Sequence, residues 1–513
     1  MRRRAAVVAL AGAIALPLCV AVPVRATTPR QTAPPAPDLV LVMPFEPIGD
    51  HPALAWLPEA SAILLADGLT TRGVVTLDRT TRARVLSELD LPVAATLSRA
   101  SIIHIGQVIG ATRVVTGSLS LEAGELVVAV RPVRLTPLDA EPSFAIRAPL
   151  ADLFATFARI TERLAPMEAA GRPPTPAPML PVDAFERFVK GMLASAPELR
   201  VESLREAVAR APEDVRARLA LWEATTDAGD SEAALEIARS VPPESPAFRQ
   251  ARLLAARSLV ALGRLDEAFE GLRALGEEKA DAQLFEHMGL VQLRRGSPTE
   301  TGRATYYYQR AVDLTPEDPD ALFNLGYAYW VEQDAAGASY WLRRAVARRP
   351  TDGVARHLLG LALDALGRLE EGAREQALAR RVSDVVARWD AEGGRDILDS
   401  GALARIRQPS PAPQIAQIEA RLGDAARLVG ERLARHHLER GRMLFEARRD
   451  ELAIEELDRA IRLAPQLPDA FVLAGRLHLR AGQPERALAL LRLAPASSEV
   501  DELLDQIRTA AVR

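Results

Sequence analysis

The chain has 513 residues, a formal charge of −4 at pH 7 and one cysteine. That length predicts several domains rather than one core. The charge leaves no basic footprint of the kind that nucleic-acid binding requires, and nearly every basic residue is Arg, with Lys only at 190 and 279.

Arg2-Arg3-Arg4 precede an uncharged run from Ala5 to Val24, and Ala26 is a small residue suited to cleavage. A basic segment followed by an apolar one predicts a signal peptide over residues 1–26. An uncleaved membrane anchor is the alternative, since roughly 20 apolar residues can just span a bilayer; Pro17 and Pro23 argue against it. Both readings send the rest of the chain across the membrane, because the Arg cluster stays inside. They predict an exported, periplasmic or envelope-associated protein. Cys19 follows Leu18, whereas lipidation signals place a small residue before the cysteine. A chain cleaved after Ala26 keeps no cysteine and forms no disulfide.

Residues 38–165 alternate strand and helix signals. Leu39-Val40-Leu41-Val42, closed by Pro44, reads as a buried strand. Leu54–Thr71 reads as a helix, Val74–Leu77 as a strand, and Thr80–Leu89 and Ser98–Ile109 as helices. Thr112–Leu121 and Glu125–Leu135 flank Ala123-Gly124, which predicts a β-hairpin. Ser143–Ala148 adds a strand and Leu150–Leu164 a helix. The alternation predicts a small α/β sandwich. Val42-Met43-Pro44-Phe45-Glu46, Leu65-Ala66-Asp67-Gly68-Leu69, the run from Ile109 to Ser118 and the strand Leu126–Leu135 resemble the TolB amino-terminal-like domain. That resemblance implies protein interaction in the bacterial envelope and brings no catalytic residue. Pro173, Pro174, Pro176, Pro178 and Pro181 predict a semi-rigid linker over 166–183.

From residue 184 a period of 34 takes over. Leu325-Gly326 and Leu359-Gly360 stand 34 apart, as do Arg440-Gly441 and Ala474-Gly475; Met288-Gly289 is in phase after a three-residue insertion near Ser297-Pro298-Thr299. In the unit 319–352, Leu322, Leu325, Gly326 and Tyr329 share one face of a first helix, and Ala338, Leu342 and Ala345 one face of a second. Pro350 ends that helix. Gly326 and Ala338 are small because the two helices must approach closely. The pattern resembles the tetratricopeptide repeat. The expected fold is therefore an α+β multidomain chain, a small amino-terminal α/β sandwich followed by an all-α solenoid. The repeats are expected in two blocks, 184–381 and 434–513, the second ending in a capping helix. Residues 382–433 read as a linker or a degenerate repeat.

No phosphate loop, no His-Glu-x-x-His and no G-x-S-x-G occurs, and adjacent His436 and His437 lack the spacing of a metal pair. The pairs Glu370-Glu371 and Glu455-Glu456 read as solvated faces. No catalytic, metal or cofactor site is expected, and the chain reads as a non-enzymatic scaffold. All six Tyr lie between 306 and 341. The repeat resemblance places Asp320, Phe323, Asn324, Tyr327 and Trp330 in a protein-binding groove, with Asn324 able to bond a peptide backbone. Phe323, Tyr327 and Trp330 are expected as an exposed aromatic stripe; the alternative is that neighbouring repeats or the Pro-rich linker cover it. Arg435, Arg442, Arg476 and Arg480 take groove positions in the second block and suggest an acidic partner segment. The expected partners are envelope proteins or peptides. The second possibility is a sensor whose α/β domain binds a small molecule or glycan; a convergent polar pocket would favour it.

Overall fold

The computed structural model describes residues 39–49, 51–88, 97–166, 180–296, 302–392, 403–406 and 413–511. The signal peptide with Cys19, most of the Pro-rich linker, the Ser297–Thr299 insertion and much of the second break lie outside the described residues.

Strand β1 (Leu39–Val42) lies between β3 (Val75–Thr76) and β4 (Arg113–Glu122), parallel to both. Its four residues are at most 2% exposed, as a strand covered on both faces requires. Val40 and Val42 point into one core and Leu39 and Leu41 into another, following the period of two. Strand β5 (Glu125–Leu135) returns antiparallel to β4 in unbroken register from Arg113↔Arg134 to Glu122↔Glu125. The two-residue loop sets that register: Ala123 at φ 51 and Gly124 at φ 83 are both left-handed, the primed turn whose twist matches a hairpin. Helices α2 (Arg79–Glu88) and α3 (Arg99–Val108) cover one face; α1 (Leu57–Thr71) and α4 (Leu153–Leu164) cover the other. The sequence missed β2 (Glu46–Pro47) and β6 (Leu138–Ala140), edge pairings of two and three residues. Strand β7 (Phe144–Ala148) pairs with β5.

Gly117 in β4 lies where the neighbouring strand and the Phe45 ring come close. A Cβ there would stand 2.4 Å from the Ala129 carbonyl oxygen and from the Phe45 ring. Gly117→Ala should therefore cost about 2–3 kcal/mol by overpacking, read as a lower urea midpoint with an unchanged slope.

Among the described residues, twelve helices then pair into six hairpins, from α5 (Val182–Leu193) and α6 (Pro197–Arg210) to α15 (Gly353–Ala365) and α16 (Leu369–Val382). Six of these helices start on an aspartate whose carboxylate accepts a first-turn amide: Asp214, Asp230, Asp281, Asp318, Asp334 and Asp352. Each such cap contributes about 1 kcal/mol. In the hairpin of α13 (Pro319–Val331) and α14 (Ala335–Arg348), a Cβ on Gly326 would lie 2.8 Å from Leu342, the close approach read from the sequence.

Two organisational expectations change. The linker does not separate independent domains: α5, α6 and α7 (Val215–Asp227) share one core with the sheet. Phe185 of α5 meets Trp56 edge-on at 6.3 Å and Phe154 at 5.4 Å, and Arg216 of α7 bonds Asp67 of α1. The second change is at residue 433, where no break occurs. Pro413–Glu446 is one helix, α18, of 34 residues. It pairs with α19 (Asp450–Leu463), followed by the hairpin of α20 (Pro468–Arg480) and α21 (Pro484–Leu491) and by α22 (Ser498–Ala511). The two blocks touch through α16: Arg374 donates to the carbonyls of Leu493 and Ala494 at 3.2 and 2.6 Å, and Arg381 bonds Asp458.

Candidate protein-binding groove

Helices α11 (Ala282–Arg295), α13 and α15 are first helices of successive hairpins and neighbour one another. Their shared face carries the residues expected in a groove. It is filled by the chain itself. Residues 403–406, from the second break, lie across α13 and α15. The Asn324 Nδ2 donates to the Arg405 carbonyl at 2.7 Å, and the Arg405 amide donates to Asn324 Oδ1 at 2.7 Å. One carboxamide thus satisfies both backbone groups of one residue. Leu403 and Ile406 pack against the apolar cluster formed by α12 (Ala304–Leu314) to α15, and so does Trp389 from α17 (Asp384–Glu392).

The Arg405 side chain enters an acidic cage. Its Nη1 lies 2.5 Å from Asp352 Oδ2 and 3.4 Å from Asp320 Oδ1, and its Nη2 lies 2.9 Å from Asp352 Oδ1. The flat guanidinium sits 3.6 Å over the centre of the Phe323 ring. Burial works against this charge, but the bonds and negative charges of Asp352 and Asp320 outweigh it and hold the guanidinium above its ordinary pKa. Asp352 also caps α15 through the Ala355 amide at 3.0 Å, so its second oxygen is aimed outward by the helix it starts. Asp320 is shared with Arg349 at 2.8 Å.

This corrects the exposed stripe. Phe323 and Tyr327 are 0% exposed and stack on one another at 6.0 Å, and Asn324 is also 0% exposed. Trp330 is half-buried, its indole N–H without an acceptor among the described residues. Among the described residues, Arg405 of the segment after α17 lies over the Phe323 ring, and residues of the neighbouring hairpins such as Tyr308 and Leu358 share its core. Tyr308 packs where the repeat register puts it, fully buried against Gly289. The sequence missed Asp352 and Arg405. Asp352 stands 34 residues after Asp318 and was legible as a cap; nothing local to Arg405 marks it.

The second block is corrected in part. Arg480 is not a free groove cation: it lies 3.9 Å over the Phe445 ring and donates to Asp450 and to the Phe445 carbonyl at 3.0 and 3.1 Å. Arg442 is exposed, 3.9 Å from Glu439. Arg435 and Arg476 are exposed with no ion pair among the described residues. Glu456 is not solvated. It is buried, bonded to His437 Nδ1 at 2.6 Å and to Arg459 at 2.9 Å. Burial pushes its carboxyl up, yet His437, Arg440 and Arg459 together hold it below the usual range.

The α/β unit has a cleft of about 310 Å³ lined by Met43, Phe45, Glu59, Arg79, Arg82 and Leu86, among others. Glu59 faces both guanidinium groups, and Arg82 Nη1 is buried with no acceptor among the described residues. Among the described residues, no group of three or more His, Cys, Asp or Glu is placed to hold a metal, and no helix is long and apolar enough to cross a membrane.

The tetratricopeptide repeat family pattern matches residues 301–353, 419–468 and 452–501. These stretches are tetratricopeptide repeats, a family of interaction scaffolds. No curated protein matches the chain. Among solved structures, YrrB, described as a repeat protein with an unusual peptide-binding site, is 19% identical over 37% of this chain and 99% of its own, with a TM-score of 0.28. A tetratricopeptide repeat protein from Parabacteroides merdae is 16% identical over 57% of this chain and 98% of its own, with a TM-score of 0.28. The repeat domain of P58(IPK) is 14% identical over 64% and 97%, with a TM-score of 0.19.

Proposed function

We propose that this chain is an exported, non-enzymatic interaction scaffold of the bacterial cell envelope, and that its repeat groove takes extended segments of partner proteins. The observation that carries the reading is the paired bond from Asn324 to the backbone of Arg405. It recognises a main chain whatever the side chain. Export rests on the Arg2–Arg4 cluster and the apolar run behind it, and the envelope role on the likeness of residues 42–135 to the TolB amino-terminal-like domain. Crosslinking in native envelopes followed by identification of the captured proteins tests the reading. Recovery in the cytoplasmic fraction, or capture of no protein, overturns it.

One observation favours a second reading, a ligand-sensing α/β unit. The cleft beside Arg79 and Arg82 sets two guanidinium groups against the single carboxylate of Glu59, leaving charge to take up an anionic group above an apolar floor. Titration with octanoate, with octanol as the uncharged control, decides it. Saturable octanoate binding that Arg82→Gln removes supports the sensor; no binding rejects it.

A further inference from the structure

We infer that the groove of α13 and α15 selects a partner segment carrying arginine between apolar residues, and that residues 403–406 hold this site in competition with the partner. The inference rests on the scaffold reading and names its partner class.

The Asn324 clamp reads only backbone, so selection falls to the side-chain cage. Lysine satisfies it poorly. Only a planar guanidinium places two N–H groups on the two oxygens of Asp352, at 2.5 and 2.9 Å, while its central carbon stands 3.6 Å over the Phe323 ring. The flanking positions are apolar: Leu403 and Ile406 rest on the hairpin cluster. Among the described residues, the contacts that hold the segment come from Leu403, Arg405 and Ile406 alone, so a free chain with the same residues makes the same contacts. The occupant belongs to the chain itself, 81 positions from Asn324, and it competes at a tethered concentration. For a tether near ~1 mM and a free segment that binds at ~10 μM, occupancy in cis weakens a competitor about 100-fold.

The test uses the full chain and a fluorescent peptide of residues 401–407, Gly-Ala-Leu-Ala-Arg-Ile-Arg, with a second peptide whose first arginine is alanine. Arg405→Ala, which releases the cover, should bind the arginine peptide about 10–100-fold more tightly than the unmodified chain. The alanine peptide should lose about 10-fold or more, and adding Asp352→Asn, which keeps a capping side chain, should abolish that preference. Excess arginine peptide should also speed hydrogen exchange at the Arg405 amide of the unmodified chain, a readout independent of how any variant folds. Unchanged exchange there, or no peptide binding by a helical Arg405→Ala chain, makes 403–406 a fixed cover and overturns the inference, while captured envelope proteins would leave the scaffold reading standing. Equal binding of the two peptides overturns the arginine selection alone. A concentration-dependent dimer that Arg405→Ala dissolves would make the occupant a second copy of this chain and overturn competition by a partner.

Discussion

Replacing Phe185 with alanine should destabilise the α/β unit and the first two helical hairpins together, by about 3–5 kcal/mol. Phe185 is fully buried, edge-on to Trp56 and tilted against Phe154 and Phe188. Deleting the ring removes its transfer free energy and leaves a cavity that three rigid neighbours cannot collapse into. Those neighbours belong to the sheet unit and to the repeats alike, so the loss does not stay on one side. Hydrogen exchange checks the outcome: amides of β4, β5, α5 and α7 should lose protection in step. Faster exchange confined to α5 and α6 would mean that the two regions are separate folding units joined by a linker, and would defeat the shared-core description. Arg216, bonded to Asp67 at the edge of this junction, is half exposed, and such a pair contributes far less than the ring.

Acidification should loosen the repeats around α11 before the general acid transition. His287 is 1% exposed, and its Nδ1 donates to the Gln283 carbonyl at 2.7 Å. The neutral ring then leaves Nε2 bare, and a second proton there would find no acceptor among the described residues. Burial, with a smaller contribution from Arg257 and against the Gln283 bond and Asp281, pushes the imidazole down from 6.5 to about 4. The folded state therefore binds this proton less readily than the unfolded state. Its stability contribution is complete above pH 6.5 and is lost as the pH falls from there towards 4. The full loss amounts to about 3 kcal/mol. Urea unfolding at pH 7 and pH 4.5 should show a smaller difference in His287→Leu than in the unmodified chain, with the change localised to α11 by exchange. Equal pH dependence in the two proteins would mean that the ring is hydrated in the fold. The Glu456 carboxyl, held low by His437, Arg440 and Arg459, keeps its own contribution above the ordinary carboxylate pKa and loses it as the pH falls from there, so most of the His287 loss comes first.

The sequence by itself determined the parts of this protein whose causes lie within one repeat or one hairpin. The 34-residue period placed Gly326 against Leu342 and Tyr308 in the core, because helical spacing and small residues are written within a few turns of each other. The β4–β5 hairpin followed from Ala123-Gly124, since a two-residue loop with both φ angles positive admits one register. The resemblance to the tetratricopeptide repeat implied a groove position for Asn324, with a carboxamide able to bond a backbone. Whose backbone it holds was a tertiary decision. Arg405 reaches Asn324, Phe323 and Asp352 across intervals of many tens of residues, and such a contact leaves no period, no cap and no turn residue to read. The same holds for Phe185 against Trp56. In both cases the deciding quantity is burial by a distant element, which turns an apparently open aromatic face into packed core.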